Sequence, residues 1–445
     1  MQGILPNVMG VLVERLLMHD LLEWKTRPDR KPLLIKGARQ TGKTWLVEEF
    51  GRRRFGDVIK IDFMMSPELR NLFSEDLDPL RIIAQIELRA GRAIDPARTL
   101  LFLDEIQEAP RGLTALKYFC ERARDYHVIA TGSYMGLAAG RGAESFPVGK
   151  VEELTLRPLC FEEFLRAVAG EPIANALHDV DMEALGGVSD LLEERLRQYL
   201  LVGGMPESVA CFAKTGDFNE ARRLQLGILA AYDADFSKHA PARILERMRL
   251  VWRSLPGQLA RENKKFVYGA VRGGGRARDF EESLQWLFDY GVAYKVGRVS
   301  ALREPLSFYE DVSAFKLFCV DVGLLAAQAG LDVRAVLEGS SLFTEFKGAL
   351  AEQYVCQELL HAGLRPVYWS AGSGKAETDF SVELASRVIP IEVKAGENLR
   401  SKSLGVACDK FGLERAVRTS LSGYRDEGWL VNVPLWAIGR ICELA

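Results

Sequence analysis

Residues 37–44 read GARQTGKT, and this octapeptide limits the possible fold more than any other stretch of the chain. The apolar run from Leu33 to Ile35 predicts a strand before it, and Trp45 to Phe50 predict a helix after it. At such a junction, glycines let backbone N–H groups surround phosphates, while a lysine reaches the outer phosphates and a threonine binds Mg²⁺. The pattern therefore predicts a nucleotide site made by Gly37, Ala38, Arg39, Gln40, Thr41, Gly42, Lys43 and Thr44.

A second apolar run, Leu100 to Leu103, ends in Asp104 and Glu105. A continuous apolar run predicts a central strand buried on both faces, whose carboxyl end lies beside the phosphate loop. We expect Asp104 to hold Mg²⁺ and Glu105 to orient or deprotonate the attacking water. The simpler alternative is a strand that ends in two solvated acids, and the phosphate loop upstream disfavours it.

The segment HVIATGSY, residues 127–134, predicts a third strand that ends in the polar residues Thr131 and Ser133. A polar group between the two earlier motifs could contact the γ-phosphate or the attacking water. We therefore take Ser133 as a candidate catalytic residue. A polar residue that merely ends a strand is an equally good interpretation.

The composition narrows the class of protein. With 445 residues the chain can form roughly three domains of about 150 residues. A net charge of -3 means that any nucleic-acid contact must come from a local basic patch. The seven cysteines show no CxxC spacing and cannot all pair, and no stretch approaches the ~20 apolar residues of a membrane helix. We expect a cytoplasmic protein with reduced thiols and no membrane contact.

The middle of the chain is helical in pattern from 166 to 250, as in a lid and connector or in a plain helical bundle. After it, a helix near Gln258 to Asn263, a helix from Asp279 to Tyr290 and an alternating strand from Val292 to Val299 follow in the order of a winged helix.

Residues 256–278 within this segment are strongly basic. They contain one acid, Glu262, against six basic residues: Arg261, Lys264, Lys265, Arg272, Arg276 and Arg278. Such a cluster is typical of a surface that contacts the phosphates of DNA. A solvated face or a protein-binding module would carry the same pattern.

The carboxyl-terminal part places acids among apolar residues. Glu352 lies on a predicted helix, 344–363, and shares its face with small or apolar neighbours. Asp379 lies on one predicted strand, and Glu392 and Lys394 share a face of the next strand. A buried charge is costly unless it is paired or binds metal, so these residues suggest a metal-centred site.

The order of motifs GxxxxGKT, LDEIQ, TGS, SFPVGK, PLCFEEFL and GGMPE resembles the AAA+-type ATPases of bacteria and archaea that carry a carboxy-terminal DUF4143 region. The resemblance covers nearly the whole chain. It implies an α/β fold with an AAA+-like P-loop NTPase core on a parallel sheet, a helical lid and winged-helix middle, and a restriction-endonuclease-like α/β domain. It also implies ATP and Mg²⁺ as cofactors, and ring-forming relatives make a homo-oligomer one expectation.

The helix, strand and hairpin with Glu352, Asp379, Glu392 and Lys394 resemble the PD-(D/E)xK nuclease fold. The resemblance implies that Asp379 and Glu392 bind Mg²⁺, that Glu352 completes the site, and that Lys394 stabilises charge on the phosphorane. Thr378 stands where proline is often found in that family. An alternative is that Lys394 only neutralises Glu392 in a structural ion pair.

AAA+ ATPases also use an arginine finger, for which Arg141, Lys150 and Arg157 are the candidates. The expected domains are an ATPase core at 1–165, a lid at 166–250, a winged helix at 251–335 and a nuclease-like domain at 336–445. The leading hypothesis is an ATPase coupled to DNA binding and phosphodiester cleavage. The alternatives are a nucleotide switch that binds a protein partner and has an inactive nuclease-like domain, and a simple nucleotide-binding scaffold.

Overall fold

The computed structural model describes residues 14–133, 146–261, 264–334, 341–371, 376–396 and 401–445. The chain divides into two compact units. One, here called the P-loop unit, consists of Arg15–Arg157 and Trp286–Val292; the other, here called the carboxyl-terminal unit, consists mainly of Pro158–Gln285 and Ala293–Ala445.

The P-loop unit is built on a five-stranded parallel sheet in the order β2-β3-β4-β1-β5. Its strands are β1 (Leu33–Lys36), β2 (Asp57–Asp62), β3 (Thr99–Asp104), β4 (His127–Gly132) and β5 (Glu152–Thr155). Both β3 and β4 are buried along their whole length, which explains their continuous apolar sequences. Strand β4 lies between β1 and β3, so the three sequence motifs end at the same edge of the sheet.

Helices cover both faces of this sheet. They are α1 (Leu17–Thr26), α2 (Lys43–Arg54), α3 (Pro79–Ala90) and α4 (Pro110–Arg122), with 3₁₀ segments at Pro67–Phe73 and Ile106–Glu108. One apolar core joins alternate strand residues to Leu21 and Leu46 of α1 and α2. A second core joins the intervening strand residues to Ile82 and Leu113 of α3 and α4. The parallel-sheet, P-loop NTPase-like fold predicted for this part is confirmed.

The carboxyl-terminal unit begins with helices, and it includes most of the helix Ala277–Asp289. Its helices are α5 (Phe161–Val168), α6 (Glu171–His178), α7 (Met182–Gly186), α8 (Ser189–Val202), α9 (Pro206–Thr215), α10 (Phe218–His239), α11 (Ala242–Leu259), α12 (Tyr268–Val271), α13 (Ala277–Asp289), α14 (Val322–Gln328), α15 (Ser341–His361), α16 (Lys402–Phe411) and α17 (Ile441–Leu444). Further 3₁₀ segments lie at Leu306–Tyr309 and Leu435–Arg440. The predicted helical middle is therefore confirmed.

One predicted boundary is wrong. The helix expected at Gln258 to Asn263 is the end of α11, which ends at Leu259. The side-chain amide of Gln258 accepts from the backbone N–H of Val267 and donates to its carbonyl, both at 3.0 Å. These bonds hold a returning chain segment against the helix end.

Eight strands form a mixed sheet in the order β12-β13-β11-β10-β9-β8-β6-β7. They are β6 (Ala293–Val299), β7 (Glu310–Cys319), β8 (Val367–Ser370), β9 (Glu377–Leu384), β10 (Arg387–Val393), β11 (Ala416–Ser420), β12 (Arg425–Asp426) and β13 (Leu430–Pro434). Strand β6 pairs antiparallel with β7 and parallel with β8. The sheet thus contains strands from both the expected winged-helix range and the expected nuclease-like range, and those two finer assignments stay predictions.

Strands β9 and β10 form the predicted hairpin. The two residues between them, Ala385 and Ser386, have φ values of 46° and 61°. Positive φ at both positions is the geometry of a tight two-residue turn whose twist matches that of the strands.

Candidate nucleotide site and carboxyl-terminal charge cluster

The phosphate loop joins β1 to α2, and two of its glycines are required by geometry. A Cβ on Gly37 would lie 2.2 Å from the carbonyl oxygen of Leu156, so no side chain fits there. Gly42 has φ 90° and immediately precedes α2, a position where an L side chain would be strained. The loop therefore turns directly into a twelve-residue helix whose first backbone N–H groups have no intrahelical acceptor.

Lys43 is buried at the start of α2. Its ammonium group donates to the carbonyl of Gly37 at 3.0 Å and to that of Ala38 at 2.8 Å. Burial lowers the pKa of Lys43 to about 8, although the carboxylates of Glu105 and Asp104 act in the opposite direction. The lysine is held inside the loop, beside the carboxylates that were predicted to accompany it.

Asp104 is the centre of a hydrogen-bonded group at the end of β3. Its carboxylate accepts from the hydroxyl of Thr44 at 3.0 Å and from the hydroxyl of Thr131. Lys60 of β2 lies 3.2 Å from the same carboxylate. Hydroxyl and carboxylate oxygens are the ligands that Mg²⁺ prefers, so Thr44 and Asp104 fit the metal that the sequence implied.

Glu105 and Ser133 complete the sequence-predicted set. Glu105 has φ 54°, and the amide of Gln107 donates to its carboxylate. Ser133 follows β4 and is fully buried, and its hydroxyl oxygen has no hydrogen-bond partner among the residues that the structure describes. A buried hydroxyl without a partner costs free energy, and a γ-phosphate oxygen or the attacking water would remove that cost.

Two further residues contact this site without having been predicted. The buried guanidinium of Arg15 donates to the carbonyl of Thr41 at 2.9 Å and to that of Arg157 at 2.6 Å, which fixes the loop against the end of β5. Lys60 lies between Asp104 and Glu48. Neither residue belongs to a local motif, although the position of Lys60 on a strand beside β3 could have indicated it.

The three candidates for an arginine finger have different surroundings in the structure. Lys150 forms an ion pair with Glu121 at 2.9 Å. The Nε of Arg157 is buried, and no described residue offers it a hydrogen bond. Arg141 lies outside the described residues. The identity of the finger stays a prediction for all three.

The carboxyl-terminal acids form a cluster with two lysines that the sequence had not placed there. We call Lys264, Lys316, Glu352, Glu377 and Asp379 the charge cluster. Glu352 of α15 is buried, as its neighbours predicted, and it is ion-paired with Lys264 and lies 3.6 Å from Lys316. Burial disfavours the charged form of Glu352, yet the two lysines keep its pKa below the usual range.

Asp379 of β9 is partly buried, and its carboxylate accepts from the backbone N–H of Val393 at 2.8 Å. Burial raises its pKa to about 7, with a further contribution from the negative charge of Glu352. The structure therefore brings Glu352 and Asp379 together, and burial and the Glu352 charge raise the pKa of Asp379 above its ordinary value.

Glu392 and Lys394 take the alternative arrangement, an ion pair with 2.6 Å between ammonium and carboxylate. Arg418 of β11 pairs in register with Glu392 and adds a second positive charge. Within the described ranges, no group of three or more His, Cys, Asp or Glu side chains is arranged to hold a metal ion. Glu352 and Glu392 already have lysines at ion-pair distance, and the expected metal group of Asp379 and Glu392 completed by Glu352 stays a prediction.

The basic segment is only partly available for phosphate. Lys264 is committed to Glu352, which corrects its predicted place in the DNA-contact cluster. The side chains of Arg272, Arg276 and Arg278 are exposed. No ion pair to these three arginines occurs among the residues that the structure describes, and Glu262 lies outside them.

Comparisons with family models divide the chain in the same order. An AAA domain model matches residues 29–165, a domain of unknown function (DUF8612) matches 193–335, and a domain of unknown function (DUF4143) matches 347–436. No curated protein matches the chain. No helix of the described residues has the length and apolar composition needed to cross a membrane.

Several solved structures are similar to the chain. The Walker-type ATPase PABY2304 of Pyrococcus abyssi is 15% identical, over 72% of this chain and 96% of that chain, with a TM-score of 0.45. The Aeropyrum pernix ORC1 protein in complex with DNA is 14% identical, over 75% and 97%, with a TM-score of 0.29. A STAND protein of Pyrococcus horikoshii with a tetratricopeptide repeat sensor is 14% identical, over 79% and 46%, with a TM-score of 0.22.

The matched models follow the order that the motifs had indicated, an AAA domain at the P-loop unit and the DUF4143 region near the carboxyl terminus. The chain therefore contains an AAA domain of the P-loop ATPase type, followed by a carboxy-terminal DUF4143 region.

Proposed function

We propose that the chain hydrolyses ATP with Mg²⁺ at the P-loop site and uses the nucleotide state to control its engagement of DNA. The single observation that carries the hydrolysis is the convergence of Thr44, Thr131 and Lys60 on the carboxylate of Asp104, directly beside the loop that holds Lys43. A bound Mg²⁺ would neutralise negative charge on the β- and γ-phosphates.

Each side chain of the site has a distinct part in this proposal. Lys43 exchanges the carbonyls of Gly37 and Ala38 for phosphate oxygens when nucleotide binds. Asp104 and Thr44 hold the metal, and Glu105 orients and deprotonates the attacking water. Ser133 donates its buried hydroxyl to the γ-phosphate or the water.

The test compares ATP turnover and ATP binding in Lys43→Ala, Glu105→Gln and the parent chain. Lys43→Ala is expected to lose binding, whereas Glu105→Gln is expected to bind ATP and lose turnover by at least about a hundredfold. Glu108→Gln is the matched control, since Glu108 follows the same strand but pairs with Arg70 at 2.8 Å. Unchanged turnover in Glu105→Gln would leave only the scaffold hypothesis.

The DNA part of the proposal is supported by the exposed guanidinium groups of Arg272, Arg276 and Arg278, which have no ion pair within the described residues. Three phosphate contacts would make affinity for DNA fall with salt, with a slope of about -2.7 in log K against log salt. Replacement of all three by serine should weaken binding and flatten this slope. The charge-matched control replaces three other exposed arginines: Arg243, Arg253 and Arg365.

The alternative, a nucleotide switch with a protein partner, predicts no such difference between the two triple variants. An apolar protein interface responds weakly to salt, so the slope separates the two functions. The alternative includes an inactive nuclease-like domain. The ion pairs of Lys264 and Lys316 with Glu352 favour that part of it, because they occupy a carboxylate that a nuclease would use for metal.

A further inference from the structure

Lys316 lies at the centre of the charge cluster, although its place on a strand does not by itself predict a buried ammonium group. It lies on β7, its side chain is only 1% exposed, and its ammonium group contacts oxygen atoms of both α15 and β9. We infer that Lys316, with Lys264, supplies inside this chain the positive charge that a divalent cation supplies in nuclease-like sites. The charge cluster is then a closed ionic bond between β7, α15 and β9 rather than a metal centre.

The distances support this assignment. The Nζ atom of Lys316 lies 3.0 Å from the carboxylate of Glu377, 3.4 Å from the carbonyl oxygen of Asp379 and 3.6 Å from the carboxylate of Glu352. One cation thus receives oxygen atoms from a helix and from two positions of a strand. That is the donor set a hard metal ion would use, except that the distances suit an ammonium group.

Lys316 is also held in place by its apolar surroundings. Its ammonium group lies 5.0 Å from the ring centre of Tyr368 and 6.0 Å from that of Phe380. Cation–π contacts of this kind are strengthened when the cation is withdrawn from water. The carboxylates of Glu377 and Glu352 lie on the ammonium group at 3.0 Å and 3.6 Å, so the lysine is fixed by opposite charges as well as by the rings.

The charge balance disfavours an added metal. Glu352 already has two ammonium groups, those of Lys264 and Lys316, within ion-pair distance. A divalent cation at the same carboxylates would bring two more positive charges into a poorly solvated group, where like charges repel strongly. Glu392 is similarly neutralised by Lys394. The ion pairs therefore stabilise the carboxyl-terminal region without a metal ion. This inference does not depend on ATP hydrolysis at the phosphate loop.

The first test measures Mn²⁺ binding to the full chain by electron paramagnetic resonance of free Mn²⁺, without nucleotide. The parent and Asp379→Asn are expected to bind the same amount, and so are the parent and Glu392→Gln. About one Mn²⁺ fewer per chain in either variant would overturn the inference. Two variants are used so that the comparison survives if one of them does not fold, as judged by circular dichroism.

The second test removes the internal cations. Lys264→Met together with Lys316→Met keeps most of the side-chain volume and should create about one Mn²⁺ site, which the further change Asp379→Asn should abolish. No gained site in a folded double variant would also overturn the inference. The same proteins are incubated with labelled linear, branched and single-stranded DNA and Mg²⁺ or Mn²⁺, with and without ATP; cleavage by the parent that Asp379→Asn abolishes would refute it directly.

Discussion

Glu358 is a buried acid whose ionisation should weaken the fold of the carboxyl-terminal unit. It lies on α15, and its carboxyl group accepts from the backbone N–H of Phe161 at 3.0 Å. Burial raises its pKa to about 8, the Phe161 bond opposes this, and the charges of Glu163 and Glu162 add to it. The named causes of the shift are burial and two acidic neighbours against one backbone hydrogen bond, so the neutral acid is the form that this site accommodates.

The direction of the pH effect follows from the raised pKa. In the unfolded chain Glu358 ionises near 4.5, whereas in the folded chain it keeps its proton until about pH 8. Its contribution to stability is therefore complete below pH 4.5 and is lost as the pH rises towards 8. The shift of about 3.5 pH units corresponds to about 5 kcal/mol as an upper limit.

The variant Glu358→Gln cannot ionise, and its side-chain oxygen can still accept from Phe161. We expect thermal unfolding, followed by circular dichroism from pH 5 to pH 8.5, to show a Tm of the variant that rises relative to the parent by up to about 7 °C across this range. Any fixed cost of the buried amide cancels, because only the change with pH is compared. The control is Glu194→Gln, since the side chain of Glu194 is 58% exposed. A Tm difference between Glu358→Gln and the parent that is constant with pH would refute the reasoning.

Three other outcomes are expected. Burial lowers the pKa of Lys43 to about 8, so ATP affinity should fall as the pH rises through this value. Lys43→Arg should remove this pH dependence. Equilibrium binding of ATP from pH 6.5 to 9.5 measures both. Ser133→Ala should leave Tm unchanged or slightly higher, because the hydroxyl has no partner within the described part of the chain, but should lower ATP turnover about tenfold or more. Gly204→Ala should lower stability by about 1–3 kcal/mol or more, because its Cβ would lie 2.0 Å from the carbonyl oxygen of Leu159. Gly227→Ala is the control, since the space around this helix position is open and no loss of stability is expected. Thermal unfolding compares the two variants.

The nucleotide site could be predicted because its parts are local in sequence. The loop from Gly37 to Thr44 is contiguous, and Asp104 is placed by the rule that parallel strands present their carboxyl ends at one edge. The burial of Lys43 and the bond between Thr131 and Asp104 needed the three-dimensional structure. Arg15 could not be predicted, because it acts through its guanidinium on backbone carbonyls more than twenty residues away.

The charge cluster shows why the second site was only half predicted. The burial of Glu352 followed from its apolar neighbours on the helix. The hairpin was part of the resemblance to the nuclease fold. The partners of these acids come from distant positions: Lys264 is 88 residues from Glu352, and Lys316 lies on a strand whose alternation predicts only that its side chain shares a face with others. No local spacing links a lysine to a carboxylate across such separations, so metal and lysine were indistinguishable as the neutralising cation.

The motifs PLCFEEFL and GGMPE, two of the six on which the resemblance rests, meet in a set of close backbone contacts. The backbone N–H of Gly204 donates to the buried carboxylate of Asp321 at 2.6 Å, and the carbonyl of Gly204 accepts from the N–H of Leu159 at 2.7 Å. The hydroxyl of Tyr199 also donates to the Leu159 carbonyl. These contacts explain the glycine by close backbone approach, which only a residue without Cβ permits. A motif of this kind identifies a fold, so the resemblance it supports says little about chemistry, and the evidence for activity must come from the phosphate loop and the carboxylates themselves.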